Sequence, residues 1–394
     1  MNFYEQYDQL LAPEEMALVA KAQAFCAGAF SEEVLLAFRE SRPFDSNWIQ
    51  SWAKAGFLGL QAAPEHGGHG ASFLCKVRIA QTMAEHSFAA AFAINNLQGS
   101  VTRLSHAGSD VQRAELMESV RSGALLCAGA LTEPSGGSDL SALATTALPV
   151  EGGWLINGVK DWVTNGEVVG LVTLLAKVQA QDGTTPIAAF LTQLSDTSTV
   201  RREVIDLPGA LSFRLSRLMF REHFVPQWAQ FGAPGQALKA SMAAVNAARV
   251  HVAAMCVASL RAALREAVDY CAGRQAFGKA VLDHQGLRWE LAEVALRLEA
   301  ANALTFKAAR LVQDGKPSLT AAAQSKKFAV DTAIWGIDQC IRAMGAVGAT
   351  GSHRLNMLFA EVRMAAFGDG TNQILLDRIG KGLRDEYGND EIGN

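Results

Sequence analysis

Apolar and polar positions change rhythm twice along this chain. Up to about residue 125 the apolar residues recur at three- and four-residue steps, as in PEEMALVAKAQAFCAGAF (13–30) and FLCKVRIAQTMAEHSFAAAFAINN (73–96), which predicts helices. The stretch GSDVQRAELMESVRSG adds a Ser-Asp start signal and a stop at Gly123. From about Leu126 the runs become short and are separated by Gly, Asn, Asp and Pro: LLCAGALTE, WLINGVKDWVTNG, LVTLLAKVQ and PIAAFLTQL. These predict strands of a mainly antiparallel sheet or barrel, because no helices of ten or more residues alternate with them. After the linker GAPGQ, long helices are expected over 236–273, 282–314 and 318–344, with a last one near 371–386. In the second of these, Leu287, Leu291, Val294, Leu298 and Ala301 share one face, the stripe of a bundle helix. Helices, then strands, then a helical bundle is an α+β layout. The boundaries that follow are 1–125 for an N-terminal helical domain, 126–231 for a central β domain and 232–394 for a C-terminal bundle.

Composition narrows the function class. With 49% hydrophobic and 19% charged residues there is ample material for a core. A net charge of −4 argues against a nucleic-acid partner, which calls for a basic patch. No run of 18 apolar residues occurs, so no membrane span is expected. The acidic start MNFYEQYDQLLAPEEM lacks the basic and apolar regions of a signal peptide. The six cysteines are scattered without a CxxC pair and read as reduced, mostly buried thiols of a cytoplasmic protein.

Two stretches carry candidate chemistry in the strand region. In ALTEPSGGSDL (130–140) a strand ends at Thr132 and a glycine-rich turn presents Ser138 and Asp139. Small residues expose backbone N–H groups there, and the two hydroxyls can hydrogen-bond a ligand, although a plain surface turn has the same composition. In NGVKDWVTNG (157–166) Trp162 and Thr164 lie two apart on a strand and so are expected on one face. An indole beside a hydroxyl suits a planar heteroaromatic ring, and equally a packed core. Two other stretches are decoys. HGGH (66–69) has no third ligand nearby and sits on floppy glycines, so no metal is expected. GAVGATG (345–351) follows a helix instead of a strand, which fails the context of a dinucleotide fingerprint.

Taken together, these stretches resemble the flavin-binding segments of the acyl-CoA dehydrogenase family. YCAGRQAFGKAVLDHQGLRWELAEV (270–294) is similar to a third signature of that family, and GFLGLQAAPEHGGHG, FVPQ and MGAVGATG echo it, so the resemblance runs through nearly the whole chain in order. It implies an N-terminal helical domain, a central β domain and a C-terminal four-helix bundle. It also implies FAD, held partly across the interface of a homodimer or homotetramer, and an electron-accepting flavoprotein or oxygen. Carried over by position, Leu131, Thr132, Gly137 and Ser138 would contact the flavin end, and Trp162 and Thr164 would lie beside the ring. Arg274, Phe277 and Gln285 would reach the pyrophosphate and adenine end from the partner subunit. Arg342 and Gly345 belong to the same pyrophosphate region, and Thr371 and Gln373 would close over the cofactor. The substrate would meet Ser138, Asn246, Arg249 and Gly370.

The implied reaction is α,β-desaturation of an acyl thioester, on CoA or on a carrier protein. Its base position aligns with Asp369 in AAFGDGTNQILLDR (365–378), where relatives commonly carry glutamate. The alternative glutamate of some branches, just before the arginine that matches Arg249, is absent, since that residue is Ala248. Asp369 could instead merely cap the helix that starts near Thr371. Losing one methylene withdraws the carboxylate by about 1.5 Å. Gly368 replaces an aromatic residue, Asn246 an acidic one, Arg342 a glutamine, and Ala360-Glu361 an Arg-Asp pair. These departures point away from a plain fatty acyl-CoA. Two alternatives remain at this stage. A nitroalkane-oxidase type also uses an aspartate base, but its accompanying arginine would fall at Leu376. A flavin-binding protein without catalysis would act as a regulator or nucleic-acid protector, against which the acidic balance and the intact carboxylate speak.

Overall fold

The alternating runs after residue 126 do pair into one sheet. In the computed structural model, which describes residues 2–30, 47–179, 183–205, 207, 214–233, 235–351 and 353–388, eight strands join in it. They are β1 (Cys127–Ala130), β2 (Thr146–Val150), β3 (Gly153–Thr164), β4 (Leu171–Val178), β5 (Ile187–Gln193), β6 (Val200–Ile205), β7 (Leu215–Pro226) and β8 (Gln230–Phe231). The order is β6-β7-β3-β2-β4-β5-β8, with β1 beside β4. Only β1–β4 and β2–β4 are parallel; every other pair in the sheet is antiparallel. Strands β4 and β5 are buried on both faces, at Leu171, Val172, Leu174, Leu175, Ala188, Phe190 and Leu191, and Trp154 packs edge-on against Phe190. Of the linker GAPGQ, Pro234 lies outside the described residues.

The chain divides into two compact units. One comprises Met1–Cys26, Phe73–Phe88 and Val245–Asn394; the other, Ala27–Ser72 and Ala89–Ala244, holds the sheet. In the sheet unit, the helix Asp110–Arg121 opens with the expected device: Ser109 accepts from the Gln112 N–H, and the Gln112 side chain bonds back to the Ser109 N–H.

The helical unit is built mainly on three long helices, Ala237–Gly273, Gln285–Gln313 and Leu319–Ala343. Leu291, Val294, Leu298 and Ala301 are buried as their spacing predicts. Small residues let the helices come close. A Cβ on Gly336 would stand 2.6 Å from a Leu260 methyl and 3.2 Å from a Val294 methyl. Ala237–Gly273 is, by length and composition, apolar enough to cross a membrane, yet 72% of its most apolar window is buried inside the protein, as in a core helix. Its apolarity is interrupted by too many polar residues for an unbroken 18-residue run, yet averages high over the window.

Two features of the last third differ from expectation. A helix spans Arg354–Arg363, in a stretch given no element by periodicity; His353 caps it by accepting from the Leu355 N–H, an uncommon capping residue. The last helix is also two pieces, Asn372–Lys381 and Leu383–Tyr387, with Gly382 between them.

Candidate functional site

In the sheet unit the Thr132–Thr145 loop is anchored from below. Buried Glu133 accepts from the N–H groups of Ala144 (2.5 Å) and Thr145 (3.1 Å) and forms a 2.6 Å ion pair with buried Lys160 of β3. Burial alone would push the Glu133 carboxyl up; the Lys160 ammonium and those N–H donors outweigh it and hold the carboxyl below its ordinary value. Next along β3, the Asp161 N–H donates to the Thr132 carbonyl (2.9 Å). The Asp161 carboxylate takes Arg217 of β7 in a two-pronged grip at 2.6 and 3.0 Å. The turn itself is tight: Glu133 and Gly136 exchange N–H···O bonds, and a Cβ on Gly137 would lie 3.2 Å from the Thr132 methyl. Ser138 is exposed, and Asp139 is committed to its own turn, accepting from the N–H and hydroxyl of Ser141.

Trp162 departs from the expected strand alternation. The β3–β7 register shifts between Lys160 and Val163, and Trp162 takes φ +60°. This bulge turns the indole outward, 51% exposed, while Thr164 is 7% exposed. The two therefore do not share a face as strict alternation would have it. An indole exposed on a left-handed backbone is costly, and such strain gathers at sites that use it. Thr132, half-buried, is tied to the same bulge through the Asp161 N–H. Leu131, half-buried, packs on the Leu143–Leu175–Ala189–Ala237 core cluster.

In the helical unit Asp369 sits in the turn between Met364–Ala366 and the helix Asn372–Lys381. It does not cap that helix: Thr371 does, its hydroxyl accepting from the Ile374 N–H. Asp369 takes φ +54° and Gly370 φ +99°. The turn is gripped by two buried cations. Arg249, 4% exposed on helix Ala237–Gly273, donates through Nε to the Asp369 carbonyl at 2.9 Å. Lys326, 0% exposed on helix Leu319–Ala343, donates through Nζ to the Gly370 carbonyl at 2.6 Å. The half-buried Asp369 carboxylate forms no hydrogen bond or ion pair among the described residues, and its N–H donates to no carbonyl there. Burial raises its pKa above the ordinary 3.8, while Lys326 and Arg249 pull it back. Burial pulls Lys326 down to about 8, against the pull of Asp369.

Lys326 escaped the sequence reading, although a signal was available. It falls in step with buried Ala322, Ala323, Ala329, Val330, Ala333 and Ile337, so periodicity placed a lysine on the core face. Asn246, one turn before Arg249, is also buried; its amide N–H donates to Ser318 at 2.9 Å and its Oδ1 has no partner among the described residues.

The remaining expected residues lie on the surface of the helical unit. Gln275–Ala276 and Lys279–Ala280 form a hairpin whose two turn residues, Phe277 and Gly278, have φ +51° and +79°. Phe277 is 96% exposed at its tip, with Arg274 and Gln285 exposed nearby. Arg342 pairs with Asp338, and Gly345 (φ +60°) and Gln373 are exposed. In the sheet unit, the ring Nδ1 of His66 lies 2.9 Å from the Ser105 hydroxyl. All six cysteines are buried and none is in a disulfide.

Comparison with known proteins agrees with this arrangement. Three family descriptions match in sequence: acyl-CoA dehydrogenase N-terminal domain over residues 12–124, middle domain over 128–222 and C-terminal domain over 235–384. An acyl-CoA dehydrogenase of Bacillus subtilis (strain 168) is 30% identical over 334 residues, 84% of this chain and 88% of that protein. The short/branched chain specific acyl-CoA dehydrogenase of Rattus norvegicus is 29% identical over 354 residues, 88% of this chain and 81% of that protein. The fold is shared with butyryl-CoA dehydrogenase from Megasphaera elsdenii, with a TM-score of 0.89 and 24% identity over 95% of this chain and 98% of that one. With matches to all three domains and a 30% identical relative spanning most of its length, this chain belongs to the acyl-CoA dehydrogenase family.

Proposed function

We propose that the protein is an FAD-dependent dehydrogenase that desaturates an acyl thioester, carried on CoA or on an acyl-carrier protein, between its α and β carbons. The observation that carries this reading is the Asp369 turn. It holds, on one residue, a carboxylate and an N–H that have no hydrogen-bond partner among the described residues, with its backbone held by Arg249 and Lys326. Such a residue can take the α proton through its carboxylate, and its N–H can support the charge that develops on the thioester oxygen.

The sheet unit fits FAD. An exposed indole on a strained bulge offers a flat stacking surface, and the Thr132 turn beside it is held rigid by Glu133, Lys160 and Asp161. Thr132, Ser138, Trp162 and Thr164 would hold the flavin end, with Leu131 and Gly137 shaping the turn. When bound, FAD supplies the acceptor for the hydride that leaves the β carbon. Arg274, Phe277 and Gln285, exposed on and beside the hairpin, suit contact with a cofactor held by a second copy, which favours a homodimer or homotetramer. Free, buried thiols suit a reducing compartment, and the cytoplasm is part of this proposal.

The test is anaerobic mixing of the FAD-loaded protein with acyl-CoAs of several chain lengths, with acyl-carrier proteins and with a nitroalkane, following the flavin absorbance. Bleaching by a thioester is expected. Bleaching by the nitroalkane alone would replace this reading with an oxidase. An electron-transferring flavoprotein and oxygen, added separately to the reduced enzyme, then identify the acceptor by which one restores the colour.

A further inference from the structure

We infer that Lys326 is a positioning residue for the reaction, fixing the Asp369 turn through the Gly370 carbonyl. The inference rests on the dehydrogenase reading above. It starts from where the lysine is placed. A fully buried ammonium on the core face of a bundle helix is expensive to desolvate. Among the described residues its one hydrogen bond is to the main chain of the Asp369 turn, at 2.6 Å from Gly370 O. No ion pair within 4 Å compensates it among the described residues. A methyl-bearing side chain would fill the same space without that cost, so the charge is retained for what it contacts.

The turn needs such a hold. Asp369 and Gly370 both have positive φ, a conformation that a non-glycine residue keeps only when its surroundings over-determine it. Arg249 grips the carbonyl of the first and Lys326 the carbonyl of the second, from two different helices. The peptide planes 369–370 and 370–371 are thereby fixed, and with them the Asp369 Cα from which the side chain projects. The same two cations are the charges that face the carboxylate: Lys326 from helix Leu319–Ala343 and Arg249 from helix Ala237–Gly273. Around Lys326 itself stand Asp369, Cys256, Arg249 and Asp331. The lysine thus acts on the base in two separable ways, through the backbone and through the field.

Lys326→Met and Lys326→Arg in the FAD-loaded enzyme separate these from simple packing. For Lys326→Met the rate constant of flavin bleaching by thioester should fall about 10- to 100-fold, from a displaced base, with substrate affinity changed by less than about threefold. The acid limb of its pH–rate profile should also move upward, because a charge that lowers the Asp369 pKa is gone. Lys326→Arg keeps the charge and should leave that limb in place. An unmoved limb and a wild-type rate in Lys326→Met would overturn the inference. Loss of folded structure in both variants would overturn it too, assigning Lys326 to bundle packing. If the wild type itself is bleached by no thioester, it is the dehydrogenase reading that fails.

Discussion

Asp369 combines three properties: a left-handed backbone, a carboxylate without hydrogen-bond partners among the described residues, and a carbonyl held by a buried arginine. Aspartate enters the left-handed region more readily than longer side chains do, so the short base suits the turn that presents it. Asp369→Asn should keep FAD bound and slow bleaching by about 100- to 10,000-fold, the usual worth of a general base. Stopped-flow absorbance would measure it, and a near-native rate would remove Asp369 from the reaction. The same substitution should affect stability in the opposite direction. The folded pKa is raised, so this group favours folding at pH values below the ordinary carboxyl value, and that contribution is lost as pH rises through the folded value. At neutral pH the ionised aspartate is a burden, and Asp369→Asn should melt higher than wild type in a thermal scan.

Among the elements, β3 does most to organise the Thr132 turn of the sheet unit. Its Lys160, Asp161 and Trp162 are successive residues that pin Glu133, bond Thr132 and present the indole. Breaking a buried ion pair leaves the partner charge uncompensated, so Lys160→Met should lower stability by about 3–5 kcal/mol in urea unfolding, and the added change Glu133→Gln should restore part of it. The main strands and long helices were legible from periodicity, and the start of Asp110–Arg121 from its Ser-Asp signal, though not the return bond from Gln112. The cofactor and base positions proposed here come only from resemblance to a family. The bulge at Trp162 was not, because a register shift depends on the partner strand β7, which alternation within β3 cannot reveal. The helix Arg354–Arg363 was missed because its cap is a histidine. The Lys326 contact was hidden by a habit of reading lysine as surface, although its spacing placed it inside.

Over the molecule as a whole, acid sensitivity has an identifiable source in the helical unit. His251 is buried, both ring nitrogens lack partners among the described residues, and its ring packs beside Phe73 at 4.6 Å. Burial, reinforced by Lys76, holds its pKa well below 6.5. The unfolded chain therefore takes up a proton that the folded one refuses, and stability falls as pH drops below the unfolded value. Wild type should lose up to about 1.4 kcal/mol per pH unit through this group, and His251→Leu should lose that component, as urea midpoints at successive pH values would show. The Asp369 turn has a different kind of consequence. Because Thr371 starts the helix, its neighbour two places earlier carries no structural duty to the helix end. On the dehydrogenase reading proposed above, chemistry and architecture fall to separate residues of one short segment. The base can then be shortened, lengthened or lost over evolutionary time while the helix end holds, which leaves an interchangeable socket in which new substrates can be tried.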